Sequence, residues 1–187
     1  MTINISLLGG LYKLLAKVLT NRIKNVIGRV VSSDQNAFVM GRQILDASLI
    51  ANEVIDSWQK RGEKGLICKL DIEKAYDSIN WQFLMRVMQK MGFRAKWRDW
   101  IWSCISTAKF SVLVNGEPAG FFSSSKGLRQ GDPLSPYLFV MGMEVSSALI
   151  RRAVEGGCIS ECRIRRGKGQ TVNISQLLFA DDAIVFF

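Results

Sequence analysis

Hydrophobic residues in the first third of the chain recur at helical spacing. Leu11, Leu14, Leu15, Val18, Leu19, Ile23, Val26 and Ile27 lie three or four residues apart for most of their run, which predicts an amphipathic helix over 10–28. A polar link over 32–42 contains Phe38 and Gly41. A second stripe, Ile44, Ala47, Ala51, Val54, Ile55 and Trp58, predicts a helix over about 43–61. Arg61-Gly62-Glu63-Lys64-Gly65 reads as a turn, and Leu66-Ile67-Cys68-Lys69-Leu70 as a short apolar strand that ends at Asp71. Stretches 80–91 and 94–107 form two more helical segments divided at Gly92.

The period then changes. Phe110, Val112 and Val114 alternate with other residues, Asn115-Gly116 is a strong hairpin signal, and 119–123 supplies the return strand. A Gly- and Pro-rich segment over 127–136 leads into a helix over 137–154 that stops at Gly156-Gly157. Strands over 158–166 and 171–179 flank Gly167-Lys168-Gly169, and the apolar stretch 177–187 closes as a hairpin with Asp181-Asp182 at its tip. This order predicts an α+β fold, helices around one mainly antiparallel sheet.

At 187 residues the chain is one domain or part of a larger one. It is 48% hydrophobic, with ten Phe, five Trp and three Tyr, enough to build a core and to exclude disorder. Lys and Arg number 25 against 16 Asp and Glu, giving +9. Residues 1–31 carry Lys13, Lys17, Arg22, Lys24 and Arg29 with no acid, and a second basic cluster lies in 151–170. Such segregation suits phosphate contacts, while solvated basic faces are the plainer alternative.

With no His at all, histidine general acid/base chemistry, Ser-His-Asp and Cys-His nucleophiles and His-ligated zinc are excluded. Catalysis, if present, falls to carboxylates. The four cysteines lack CxxC spacing, and Cys68 and Cys104 sit in apolar runs typical of reduced thiols, so an intracellular protein is expected. No stretch approaches the roughly 20 apolar residues of a membrane span, and no membrane partner is expected.

Two acidic sites interrupt apolar strand signals: Asp71, and the pair Asp181-Asp182. If the strands are neighbours, their carboxylates converge and repel unless cations sit between them, and hard oxygen ligands without His point to Mg2+. Two such ions about 3.5–4 Å apart serve phosphoryl and nucleotidyl transfer. The alternatives are ordinary: a polar hairpin tip for Asp181-Asp182, and a helix start for Asp71 with Glu73.

The order of the motifs is more specific than any one of them. Asp71-Ile72-Glu73-Lys74-Ala75-Tyr76-Asp77, then Gly127-Leu128-Arg129-Gln130-Gly131-Asp132-Pro133-Leu134-Ser135-Pro136, then Phe179-Ala180-Asp181-Asp182 resembles motifs A, B and C of reverse transcriptases. Lys69-Leu70-Asp71 through Asn80-Trp81 is similar to the non-LTR (LINE-type) retrotransposon branch, most like those of plants. Ile5-Ser6-Leu7-Leu8 with Tyr12-Lys13, and Gln35-Asn36-Ala37-Phe38-Val39 with Gly41-Arg42, resemble that branch's finger motifs.

The resemblance implies a right-hand polymerase fold, mainly fingers over 1–65 and mainly palm over 66–187, with the palm's helices on a mainly antiparallel sheet. It also implies RNA-directed DNA synthesis with an RNA template, a DNA primer and dNTPs as partners. Asp71, Asp181 and Asp182 would be catalytic and hold two Mg2+ ions, with Mn2+ a possible substitute and the Ile72 carbonyl a further ligand. Tyr76 would lie under the incoming sugar, Gln130 and Gly131 would line the nucleotide pocket, and Asn36, Phe38 and Arg42 would face the template. A nuclear location is expected on the same ground.

Where that branch carries Arg-Pro ahead of its Ile-Ser-Leu motif, this chain has Ile3-Asn4. The sequence stops five residues after Asp182, so the thumb and endonuclease of a complete element are expected to be missing and the last strand to expose an apolar edge. Such truncation would impair or abolish activity of the chain alone. A group II intron maturase and a non-catalytic nucleic-acid-binding remnant are the competing readings.

Overall fold

The computed structural model describes residues 10–166 and 170–187. Its elements run α1 (Gly10–Lys24), α2 (Ile27–Val30), α3 (Ile44–Arg61), β1 (Ile67–Asp71), α4 (Ala75–Ser78), α5 (Trp81–Lys90), α6 (Ala95–Ser106), β2 (Lys109–Val114), β3 (Glu117–Ser123), α7 (Ser135–Glu155), β4 (Cys162–Arg166), β5 (Gln170–Ile174), β6 (Gln176–Phe179) and β7 (Asp182–Phe186). The chain divides into two compact units. One gathers residues up to Ile23 with Lys74–Gly142, the other Lys24–Glu73 with Met143–Phe187. Among the described residues no helix is long and apolar enough to cross a membrane.

The second of these units is organised by a three-stranded antiparallel sheet in the order β1-β7-β6. Strand β7 pairs with β1 from Ile67↔Phe186 to Asp71↔Asp182, and with β6 from Gln176↔Val185 to Phe179↔Asp182. The expectation that the last strand exposes an apolar edge is thereby corrected: β7 is the central strand. Its run Ala183-Ile184-Val185-Phe186 is apolar on both faces, the pattern of a strand covered on both sides. Ala183, Val185 and Phe186 are buried, whereas Ile67 and Leu70 on the flanking β1 are exposed.

Helix α3 covers one side of this sheet. Its start is fixed by a reciprocal capping box between Gln43 and Asp46, and its end by Gly62, whose left-handed φ of 63° lets its N–H turn back to Gln59 and Trp58 carbonyls. Ala47 and Val54 form a core with Cys162, Ile164, Leu177 and Phe186, and Trp58 meets Phe186 edge to face at 6.2 Å.

The single sheet expected from the sequence is three. Strands β4 and β5 form their own two-stranded ribbon, and the expected strand 171–179 splits at Ser175. Ser175 accepts a hydrogen bond from the Phe186 N–H at 2.9 Å, so the chain leaves one ribbon and enters the other sheet at that residue. The expected turn at Gly167-Lys168-Gly169 lies outside the described residues.

The other unit holds α5 and α6, divided at Gly92 (φ 88°) as the sequence predicts. Asn80 caps α5 by accepting from the Phe83 N–H at 3.0 Å. Leu84, Met88, Ile101, Leu134, Leu138 and Phe139 are among its deeply buried side chains. Strands β2 and β3 form a hairpin about Asn115-Gly116, with every residue of β3 exposed. The short helix α4, unannounced by periodicity, follows Lys74 in the left-handed region at φ 52°.

Candidate active site

The sequence places Asp71 at the end of one strand and Asp182 at the start of another, and antiparallel pairing sets them directly opposite each other. Facing residues project on the same side of a sheet, so both carboxylates leave the same face, along with Lys69 and its partner Ile184. Asp181 sits in the two-residue turn between Phe179 and Asp182. Asp71 is exposed, and Asp181 and Asp182 are half-buried. Like charges directly opposite destabilise a ladder. Here one positive group offsets the pair: Lys69 Nζ lies 3.3 Å from Asp182 Oδ1.

Among the described residues, no three acidic or cysteine side chains stand close enough together to hold a metal ion in this arrangement. The donor chemistry nevertheless fits a hard divalent cation, since the sheet end offers carboxylate oxygens and nothing softer. Ile72 comes immediately after the last residue of β1 and is half-buried.

The turn that carries Asp181 is held from behind by the 34–37 loop. Asn36 donates its backbone N–H to Leu178 O at 2.8 Å, and Leu178 donates to Asp34 O at 2.9 Å. The Gln35 side chain, 1% exposed, accepts from the Ala37 N–H at 2.9 Å and from the Ala180 N–H at 3.2 Å. Asn36 is buried and its side-chain amide donates to Asp34 O at 3.0 Å. Arg42 Nη1 donates to the carbonyls of Ser32 and Gln35, each at 2.6 Å. Asn36 and Arg42 thus brace this loop, whereas Phe38, at φ 58°, remains 43% exposed.

Tyr76, Gln130 and Gly131 belong to the other compact unit. Tyr76 stacks on Phe139 with ring centroids 5.0 Å apart. The start of the Gly-rich segment clasps the end of the 71–80 segment. Gly127 N–H donates to Ile79 O at 2.7 Å, Leu128 N–H to Tyr76 O at 2.8 Å, and Trp81 Nε1 to Gly127 O at 2.6 Å. Gly127 is required there, because its φ is 89° and a Cβ would meet the Asp77 carbonyl oxygen at 3.1 Å. Gln130 and Gly131 are exposed, and Gly131 with Lys13, Lys17 and Pro133 lines a groove of about 420 Å3.

Sequence reasoning missed two features, one in each compact unit. One is Gln35 as a side chain touching the acid-bearing turn. The other is a half-buried cluster in which Tyr12 donates its hydroxyl to Asp132 Oδ2 at 2.5 Å, with the Arg129 guanidinium 4.3 Å over the Tyr12 ring. Burial first, and then this hydrogen bond, push the Tyr12 hydroxyl far above its usual range. Asp132 Oδ1 also accepts from the Leu134 N–H at 2.9 Å and so shapes the entry to α7. Only a charged or amide residue inside an otherwise glycine-rich or polar loop signals either feature, and that signal is weak.

Comparisons with known proteins identify the family and the fold. The family model described as "Reverse transcriptase (RNA-dependent DNA polymerase)" matches residues 3–187. The "Transposon TX1 uncharacterized 149 kDa protein" of Xenopus laevis is 28% identical over 181 residues, which is 97% of this chain and 13% of that protein. A "Retrovirus-related Pol polyprotein from type-1 retrotransposable element R2" of Popillia japonica is 25% identical over 183 residues, 97% of this chain and 24% of that protein. The "Uncharacterized mitochondrial protein AtMg01250" of Arabidopsis thaliana is 50% identical over 70 residues, 37% of this chain and 55% of that protein. The chain therefore spans from 13% to 55% of the length of these relatives. In fold, it superposes on telomerase from Candida albicans with a TM-score of 0.59 at 10% identity, covering 94% of this chain and 30% of that one. An α+β chain whose aspartates meet at one sheet end, matched over nearly its whole length, belongs to the reverse transcriptase (RNA-dependent DNA polymerase) family.

Proposed function

We propose that this chain carries the nucleotidyl-transfer site of a non-LTR retrotransposon reverse transcriptase, which extends a DNA 3′ end against an RNA template. The observation that carries the reading is the register Asp71↔Asp182, with Asp181 in the adjoining turn. Enzymes of this family use divalent metal ions. Asp71, Asp181 and Asp182 are the groups to hold two Mg2+ ions, or Mn2+ in their place, with the Ile72 carbonyl as a further oxygen donor. Such ions, when bound, lower the charge barrier to attack and departure at phosphorus.

In the reaction the DNA 3′-oxygen bonds to the α-phosphorus of the incoming dNTP. The α–β bridging P–O bond breaks, pyrophosphate leaves with the electron pair, and the 3′ proton passes to solvent. Tyr76, stiffened by its stack on Phe139, is assigned to the sugar of the incoming nucleotide, where its ring would exclude a 2′-hydroxyl. Gln130 and Gly131 are assigned to the same nucleotide, and Phe38, with the loop that Asn36 and Arg42 brace, to the template side. Chromosomal DNA in the nucleus is the expected place of action.

The test is primer extension on an RNA template by the purified chain with Mg2+ and dNTPs, beside Asp181→Ala. Extension that the substitution abolishes is the expected result. Extension that survives it overturns the assignment of the carboxylates. A folded chain that binds RNA–DNA hybrid but extends no primer shifts the reading to a nucleic-acid-binding remnant.

A further inference from the structure

The turn between β6 and β7 is unusual in its chemistry. It has two residues, Ala180 and Asp181, and the first lies at φ 56°. Two-residue hairpin turns with positive φ at the first position strongly favour Gly, Asn or Asp there, and alanine in the left-handed region costs about 1–2 kcal/mol. Strain of this kind persists only where the surroundings over-determine the conformation. What surrounds Ala180 is specific: it is 7% exposed, and its N–H points to Gln35 Oε1 at 3.2 Å. The same oxygen accepts from the Ala37 N–H at 2.9 Å, so one buried carbonyl joins two backbone segments 143 residues apart in sequence (180 − 37).

The Gln35 side chain is itself fixed. It is 1% exposed, its backbone carbonyl accepts from Arg42 Nη1 at 2.6 Å, and its residue forms an isolated parallel bridge with Leu178. Removing the acceptor would leave a buried N–H without a partner in a turn that already holds an unfavourable φ. That turn sets the direction of both Asp181 and Asp182.

We infer that Gln35 is a positioning residue for the acid-bearing turn: its side-chain carbonyl, anchored to Ala37, holds the Ala180 N–H and so fixes where the Asp181 and Asp182 carboxylates point. The inference rests on the proposed role of those carboxylates as divalent-cation ligands. Groups that orient metal ligands from one layer out typically change metal affinity about 10–100-fold when removed.

Three variants of the full chain separate the two ideas: Asp181→Ala, Gln35→Met, which keeps length and volume but has no strong acceptor, and Gln35→Glu, which keeps the acceptor and charges it. Mn2+ binding is followed by EPR without nucleic acid, and the backbone amides of Ala180, Asn36 and Leu178 by NMR hydrogen exchange. Gln35→Met is expected to weaken Mn2+ binding about tenfold and to speed exchange at Ala180 at least tenfold, with Asn36 and Leu178 still protected. Gln35→Glu is expected to move the Ala180 amide proton downfield, because a charged acceptor shortens the bond. If Asp181→Ala leaves Mn2+ binding unchanged, the metal-site reading fails whatever Gln35 does. If Asp181→Ala abolishes binding while a folded Gln35→Met matches the parent chain, the positioning role is overturned. Equal loss of protection at Ala180, Asn36 and Leu178 overturns it too, since Gln35 would then be general packing. Should Gln35→Met fail to fold, an Ala180 amide unmoved in Gln35→Glu overturns it independently.

Discussion

Two hairpins among the described residues turn in two residues, and they do so by opposite means. The β2–β3 hairpin uses Asn115 and Gly116 at φ 51° and 86°, the pair that such turns prefer, and exposes Val112, Leu113, Val114, Phe121 and Phe122. The β6–β7 hairpin uses Ala180 and Asp181, a poor pair locally, and buries Leu177, Leu178, Val185 and Phe186. The first is written in its turn and needs little else. The second is held by tertiary contact, with α3 packed beside it and the 34–37 loop bonded to its turn. The acids lie on the second. A loop that is not self-sufficient can be set by its surroundings, which is what a site with fixed carboxylates requires.

The sharpest test of this contrast is to cut one side chain from each hairpin. Leu178→Ala, at a position 1% exposed, is expected to cost about 2–5 kcal/mol in denaturant unfolding. Leu113→Ala, at 67% exposure, should stay within about 0.5 kcal/mol. Equal costs would mean that β2–β3 is packed as tightly as β6–β7, and the contrast would be lost.

That asymmetry also explains what was legible in the sequence. Asn115-Gly116 announces its turn because the dipeptide's own backbone preferences make the turn. The helical stripes of α1 and α3 are visible because periodicity is a property of neighbours three and four apart. Asp71 and Asp181-Asp182 stood out as acids interrupting apolar strands, and the register confirmed that the two strands are partners. The role of Gln35 was hidden, because it depends on contact with Ala180, 145 residues away (180 − 35), and leaves no periodic trace. The same holds for the split at Ser175 and for the central place of β7. Both depend on which strand wins which partner, and alternation along one strand does not record that.

The turns themselves invite a reciprocal exchange. Gly116→Ala puts a Cβ where nothing lies within 4 Å, so its whole cost is backbone, about 1–2 kcal/mol at φ 86°. Ala180→Gly removes the corresponding penalty from the other turn. Glycine's greater freedom in the unfolded chain returns part of the gain, leaving a stabilisation of up to about 1 kcal/mol, or roughly 2–4 °C in Tm. A loss of stability in Ala180→Gly would show that the alanine methyl contributes more by packing than its φ costs, and the account of a strained turn would need replacing.

The smallest effect expected is a pH dependence in the core behind the acid-bearing hairpin. Cys162 packs with Leu177 and Phe186, and burial is the main cause that pushes its thiol above the usual 9.0. The folded state therefore keeps this proton at pH values where the unfolded chain releases it. A raised folded pKa contributes stability in full below the unfolded value, and that contribution is lost as pH rises through and beyond about 9. Tyr12, Tyr137 and Cys104 are shifted upward too, so the whole chain is expected to weaken at alkaline pH. Cys162→Val keeps an apolar side chain of similar size and removes one titrating group. Its Tm should fall less than that of the parent chain between pH 8 and pH 10, whatever the offset at pH 8. Parallel curves would mean that Cys162 ionises alike in both states, which its burial in the core shared by α3, β4, β6 and β7 does not allow.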